Sequence, residues 1–227
     1  MKTMRRVISP FILSAIATNI YAQSLQTPRS PSTPSGEVAL LAGLIQPTML
    51  QGGNVEVDFY TRKMVFNYSH GFSLDLDSKH GTTVGDAKSQ GLALHLPYST
   101  GFGVGYRVKR YFDVRLEPKI HRFQVYYDGS DRRNAANEVA DYRTVTIGLG
   151  AYFRWKPFEK KHNALKGIFT STSIRYWQNV WSSLDGNQVT YMNRTTDQPE
   201  THQAANIGIA NTPFLFNIGL GYSIILD

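Results

Sequence analysis

The stretch Leu92-Ala-Leu-His-Leu-Pro-Tyr-Ser-Thr-Gly-Phe-Gly-Val-Gly-Tyr106 decides the fold class. Its even positions are Leu92, Leu94, Leu96, Tyr98, Thr100, Phe102, Val104 and Tyr106. Its odd positions are Ala93, His95, Pro97, Ser99, Gly101, Gly103 and Gly105. Large apolar groups at every second residue describe a strand, because successive side chains leave a strand on opposite faces. A helix would need them every third or fourth residue. The second face carries nothing large and apolar.

The same period recurs on both sides of this stretch. Met64, Phe66, Tyr68, Phe72, Leu74 and Leu76 oppose Asn67, Ser69, Gly71, Ser73 and Asp75. Phe112, Val114, Leu116 and Ile120 oppose Asp113, Arg115, Glu117, Lys119 and His121. Val145, Ile147, Leu149, Ala151, Phe153 and Trp155 oppose Thr146, Gly148, Gly150, Tyr152 and Arg154, and Phe214 to Ile224 repeats the pattern. Weaker segments are Asn54 to Tyr60 and Gly167 to Trp181. Val38 to Ile45 suits either a first strand or a short amphipathic helix.

Alternation does not say which face is inside. A soluble barrel turns its apolar face inward, whereas a membrane barrel turns it to lipid. Three features favour the second. The non-apolar face mixes small residues with full charges, as suits a narrow lumen in which Arg107, Arg115 and Arg175 pair with Glu56, Asp58, Asp113 and Glu117; buried charges require such partners. Tyr98, Tyr106, Phe112, Trp155, Phe214 and Tyr222 lie toward strand ends, the positions of interfacial aromatic girdles. Short links at 62–63, 109–110 and 156–164 alternate with long polar ones at 77–90, 129–140 and 184–203, the asymmetry of periplasmic turns and extracellular loops. Both chain ends must then face the periplasm, which requires an even number of strands. The expected fold is an all-β, membrane-spanning, antiparallel up-and-down barrel of about eight strands over residues 37–227. Leu94, Val114 and Ile218 are expected to face lipid.

The flanks agree with export. Lys2, Arg5 and Arg6, the apolar Val7 to Ala17 and the small residue Ala22 describe a cleaved signal peptide over 1–22. The Pro/Ser/Thr-rich segment 23–36 reads as a linker. Removing the signal takes three bases and no acid, so the formal net charge falls from +7 to +4. That balance, without a Lys/Arg run, gives no nucleic-acid footprint. The absence of cysteine excludes a disulfide framework.

Signal, alternation, girdles, loop asymmetry and the final strand Phe214 to Ile225 together resemble the small eight-stranded bacterial outer-membrane barrels, the OmpA-transmembrane, OmpX and OmpW group. The chain departs from their pattern by ending in Leu226-Asp227 rather than an aromatic residue, and Pro97 and Pro118 inside strands suggest bulges. The resemblance implies a non-enzymatic, porin-like envelope protein without a cofactor. Its partners would be outer-membrane lipid and lipopolysaccharide, the barrel-assembly machinery during biogenesis, and a protein of the envelope or of the cell exterior. The loop residues Tyr191, Arg194 and Glu200 are the expected contact surface. Barrels of similar size include lipid A deacylases and palmitoyl transferases, so Ser99, His121, Glu117 and His95 are candidate catalytic groups for a lipid A-modifying hydrolase. Two further functions fit a barrel of this size: transport of small hydrophobic molecules, and soluble binding of the lipocalin kind. The six scattered histidines give no metal motif.

Overall fold

The computed structural model describes residues 36–77 and 89–226. The expected signal peptide and nearly all of the expected linker lie outside these residues, as does most of the first long loop. Eight strands close into one antiparallel barrel: β1 (Gly36–Gly43), β2 (Gly53–Tyr60), β3 (Met64–Leu76), β4 (Leu92–Lys109), β5 (Phe112–Tyr127), β6 (Glu138–Trp155), β7 (Ile168–Ser182) and β10 (Phe214–Leu226). Each strand pairs with its sequence neighbour, and β1 closes on β10 through Gly36↔Leu226 to Gly43↔Gly219. Closure removes the free edges that lipid could not hydrogen-bond. The two remaining strands, β8 (Gln188–Asn193) and β9 (Gln198–Gln203), form a separate hairpin within the last long loop.

Val38 to Ile45 resolves into a strand and a helix in succession. β1 ends at Gly43 and a short helix, α1 (Ile45–Met49), follows. Among the closing strands, β1 and β2 have 8 residues each whereas β4 and β6 have 18. One wall of the barrel therefore stands much taller than the other.

The apolar face points outward across the middle of the wall. Phe102, Val104, Leu116, Ile120, Ile147, Leu149, Phe153 and Ile174 are all exposed, while Glu56, Asp58, Asp113, Arg115, Glu117 and Arg175 are buried. On β6 the outward apolar run extends from Val145 to Trp155. Ten steps of ~3.4 Å, tilted by ~40°, span about 26 Å, close to the ~25 Å apolar band of outer-membrane barrels. Below it Tyr106, Phe112, Trp155 and Tyr222 lie near the end with the short turns; Tyr98 and Phe214 lie near the other.

Above that band the barrel turns inside out. The buried set of β4 is 99, 103 and 105 below Pro97, but takes in Leu92, Leu94 and Leu96 above it. The ladder to β5 slips by one residue between His95 and Tyr98, so Pro97 marks a bulge. β3 changes face at the same height, through Ser73 in a left-handed backbone conformation (φ 53°), and keeps its register with β4. Leu94 is only 6% exposed, so the expectation that it faces lipid is corrected: one inserted residue sends every later side chain to the other face. Pro118 shifts no register; it stays in the ladder opposite Ile147.

Candidate functional site

The lumen within the band is filled by a chain of ion pairs. The buried Arg115 is its centre. Its guanidinium donates to Glu56 at 2.7 Å, Asp58 at 2.9 Å, Asp113 at 2.5 Å and the Tyr60 hydroxyl at 2.9 Å. Residues of β2 and β5, which β3 and β4 separate in the wall, thus converge across the lumen on one planar fork, which suits several carboxylates at once better than an ammonium would. Tyr152 stacks under Arg115, 3.9 Å from the guanidinium carbon to the ring centre. Arg175 reaches the other oxygen of Glu56 at 3.3 Å. One level up, Lys119 donates to Ser69 at 2.5 Å, lies 3.9 Å from Glu117 and sits over the Trp177 ring at 4.4 Å. At the lower mouth Glu37 accepts from Arg154 at 3.0 Å and from Lys156 at 2.5 Å.

Small residues make room for this packing. Gly148 shows it most directly: a Cβ there would stand 1.7 Å from the Trp177 indole. The void left among Leu41, Asn54, Glu56, Arg175, Asn217 and their neighbours is about 10 Å³, space for about one water.

Of the expected lumen ion pairs, the structure brings together Glu56, Asp58, Asp113, Arg115, Glu117 and Arg175. Arg107 lies apart from them, half-buried at the lower rim, where it donates to the Thr61 and Arg110 carbonyls rather than to a carboxylate. Lys119, Arg154, Lys156 and Glu37 complete the lumen without being among the expected ion pairs. Lys119 and Arg154 share the polar parity of β5 and β6, the signal that could have found them. Glu37 and Lys156 are brought together only by the β1–β10 closure.

The candidate catalytic groups divide. His121 Nδ1 is 2.8 Å from Ser99 Oγ, and its Nε2 is 2.8 Å from the Thr146 hydroxyl. That is a hydroxyl–imidazole pair oriented by a second hydroxyl, not by a carboxylate. His121 is fully buried between Phe123 and Trp177. Glu117 instead accepts from Asn67 at 3.3 Å. His95 lies above the bulge beside Asp75, where Arg132 from the β5–β6 loop reaches Asp75 at 2.7 Å. The four do not form one site.

Above the band the interior is apolar. Leu74, Leu92, Leu94, Leu96, Phe123, Val125, Tyr142, Tyr191 and Ala205 form one buried cluster. The β8–β9 hairpin covers it. Tyr142 accepts at its hydroxyl from the Ala205 N–H at 2.9 Å; the Tyr191 hydroxyl lies 3.1 Å from both the Gln90 carbonyl and Glu200 Oε2, which share its one proton. The Tyr127 hydroxyl donates to the Met192 carbonyl at 2.7 Å. Of the expected contact residues, Arg194 is exposed, Glu200 is half-buried and Tyr191 is turned inward. Tyr191 is buried in the cluster, Glu200 accepts from Tyr191 and Asn193, and Arg194 stacks on Tyr127 while donating to Asn137 and the Ala136 carbonyl. Tyr191 and Arg194 fasten the hairpin to the barrel, and Glu200 ties its two strands together. Burial, and secondly the Glu200 carboxylate, push the Tyr191 phenol above its ordinary value.

The described charges sort into three compartments. The lumen holds Glu37, Glu56, Asp58, Asp113 and Glu117 against Arg115, Lys119, Arg154, Lys156 and Arg175, five of each sign. The capped end carries Asp75, Asp77, Asp128, Asp131, Glu138, Asp141, Asp185, Asp197 and Glu200 against Arg122, Arg132, Arg133, Arg143 and Arg194, nine acids to five bases. The opposite end, where β1 begins and β10 finishes, carries Arg62, Lys63, Arg107, Lys109, Arg110, Lys160, Lys161 and Lys166 against Glu159, eight bases to one acid.

No protein-family model matches the sequence, and no curated protein matches it. Among solved structures, the chain is similar to the N-terminal β-barrel domain of Pseudomonas aeruginosa OprF, with 9% identity and a TM-score of 0.38 over 84% of this chain and 98% of that one. The closed eight-strand ladder and its outward apolar band fit a small OmpA-like barrel in their own right.

Proposed function

We propose that the protein is a non-conducting, non-enzymatic barrel of the bacterial outer membrane, which holds a capped, protein-packed end outside the cell. The observation that carries this is the lumen. Its cross-section is occupied by Arg115 and its three carboxylates, with Tyr152 stacked on Arg115 and Trp177 under Lys119, and the interior above is an apolar core under a hairpin. A transport path for small hydrophobic molecules would need an apolar or empty passage through the same section. A soluble lipocalin-like binder would not leave Phe102, Leu149, Trp155 and Ile174 each more than half exposed. Export to the outer membrane rests on the signal-like segment 1–22 together with the barrel.

Planar-bilayer recording of the refolded protein tests the proposal. No unitary conductance is expected; steady ion-conducting steps from the wild-type chain would refute it. The same preparation should partition with outer-membrane fragments and change its gel mobility on heating.

A hydrolase acting on lipid A has one observation in its favour, the 2.8 Å Ser99–His121 contact. The pair faces the lumen, however, with Ser99 8% exposed and His121 not at all, and no carboxylate orients the imidazole. Mass analysis of lipid A from cells with and without the gene separates the readings: an acyl-chain difference abolished by Ser99→Ala, with the barrel still folded, would favour the hydrolase.

A further inference from the structure

We infer that the turn end of the barrel is a lipid-selecting collar that recruits anionic phospholipid headgroups of the periplasmic leaflet. The inference rests on the membrane-spanning reading and adds to it the chemistry of the lipid at one rim.

Its basis is where the fold collects positive charge. The sequence contains no basic cluster beyond short pairs, yet three turns far apart in the chain meet at one end of the barrel. The link from β2 to β3 brings Arg62 and Lys63, that from β4 to β5 brings Lys109 and Arg110, and the 156–167 link brings Lys160, Lys161 and Lys166. All seven side chains are exposed, and Glu159, which pairs with Arg110, is the one carboxylate on this end outside the lumen among the described residues. The lumen contributes no net charge to offset them. Such self-repulsion costs stability unless an anionic surface lies opposite.

The surroundings match a headgroup layer. Trp155 and Tyr106, both more than half exposed, sit immediately beside the collar on the lipid side. Phe158 and Leu165 stand exposed among the lysines of the longest turn, as apolar anchors that dip toward acyl chains while the ammonium groups stay at phosphate level. That turn is held in shape by Lys161 N–H to Phe158 carbonyl and Lys166 N–H to Asn163 carbonyl bonds of 2.9 and 3.0 Å. The capped end has the opposite balance, with four more acids than bases among its described residues. An anionic layer is attracted at one end of the barrel and not at the other. In barrels of this type the short turns face the periplasm, so the attracted layer is the inner leaflet.

The two surface indoles provide a test at each end. Trp181 is exposed at the upper edge of the band and Trp155 at the lower, while Trp177 is buried in the lumen and stays a constant background. The protein is folded into phosphatidylcholine vesicles containing brominated phosphatidylglycerol or brominated phosphatidylcholine. Quenching is read in Trp181→Phe, which leaves the lower indole, and in Trp155→Phe, which leaves the upper. At Trp155 the brominated anionic lipid should be preferred by roughly fivefold at low salt, the scale expected for one basic side chain at an anionic surface; at Trp181 no preference is expected. The Trp155 preference should vanish in high salt and in Lys109→Gln/Arg110→Gln/Lys160→Gln/Lys161→Gln. Equal preference at both ends, or a preference that survives both treatments, overturns the collar while leaving the membrane reading intact. Absence of quenching by either lipid overturns the membrane reading itself. Soluble polyglutamate that shifts Trp155 emission where anionic lipid has no effect would replace the lipid by an acidic polymer and so overturn the proposal.

Discussion

Replacing Arg115 by Met isolates the energetics of the lumen. The substitution keeps an unbranched stem in the tunnel and removes five N–H donors. Glu56 retains Arg175 at 3.3 Å, whereas Asp58 and Asp113 lose the base that donates to both of them at 3 Å or less. Removing one partner of a buried pair costs ~3–5 kcal/mol, because the remaining charge stays desolvated. The lumen then holds five acids against four bases. Asp58→Asn alone, which weakens a charge-assisted hydrogen bond, costs ~1.5–3 kcal/mol in the wild-type background. Made together, the two changes return the lumen to four charges of each sign, and the introduced amide oxygen can still accept from the Tyr60 hydroxyl, which donates to Asp58. The double variant should therefore be more stable than the sum of the singles by ~2 kcal/mol, within the range of coupled neighbours. Urea unfolding of the vesicle-inserted protein, followed by tryptophan emission, gives all four corners of the cycle. Additivity within ~0.5 kcal/mol would refute the argument, since it would mean that these charges are hydrated in the folded barrel.

Other perturbations report on other levels of the structure. Gly148→Ala forces the Trp177 indole out of its place and should destabilise by ~1–3 kcal/mol, with a shift of the buried tryptophan emission; an unchanged unfolding midpoint would mean the indole is elsewhere. Spin labels at Val104 and Leu94, on one strand and of one parity, should differ: oxygen dissolved in lipid reaches Val104, which is 40% exposed, and not Leu94. Tyr142→Phe leaves the Ala205 N–H without its acceptor and should cost ~1–3 kcal/mol in the cap, seen as faster protease cleavage in the 188–203 hairpin. Ser99→Ala should leave lipid A composition unchanged while weakening the lumen by ~1 kcal/mol through the lost His121 contact.

The strands were legible because period two is a local signal. Trp155, Leu149 and Phe102 announced an outward face without any knowledge of their neighbours. Strand number and direction followed from link lengths, and the polar parity pointed to eight of the ten charges that meet in the lumen, six of them among the expected ion pairs. Three things were not legible, each for a physical reason. Partner choice among those charges depends on the stagger between strands, which is set by closure: Glu37 meets Lys156 across 119 positions. Arg107 has the same parity as the lumen charges, but lies too low on its strand, where its guanidinium meets backbone carbonyls instead of carboxylates. The hairpin at 188–203 has the composition of a polar loop because its apolar content is small, with Tyr191 the one large buried aromatic among its strands. Tyr191 and Arg194 are polar enough to suggest a free surface and long enough to fasten the hairpin as well.

The Pro97 bulge follows from the change of solvent outside the wall. Within the band the exterior is lipid, so bulky apolar groups face out and charges face in; above it the exterior is water and the assignment must invert. The chain solves this in two ways at the same height. In β3 and β4 the apolar parity continues unbroken in sequence, and an extra residue at Ser73 and at Pro97 rotates it inward, so that Leu74, Leu92, Leu94 and Leu96 meet under the hairpin. In β5 and β6 the register is kept and the sequence changes instead: Arg122, Gln124 and Asp141 occupy the outward positions, with Arg122 and Gln124 both donating to Asp141, while Phe123, Val125 and Tyr142 take the inward ones. Arg122, which looks misplaced on a lipid-facing parity, is the outward half of that second solution. The two mechanisms must agree in height for the core to close, and the shared register Phe72↔Tyr98 and Leu74↔Leu96 keeps β3 and β4 in step. An insertion in one strand alone would turn half of the apolar cluster to water. The boundary between lipid and water is thus written twice into this chain, once as geometry and once as composition.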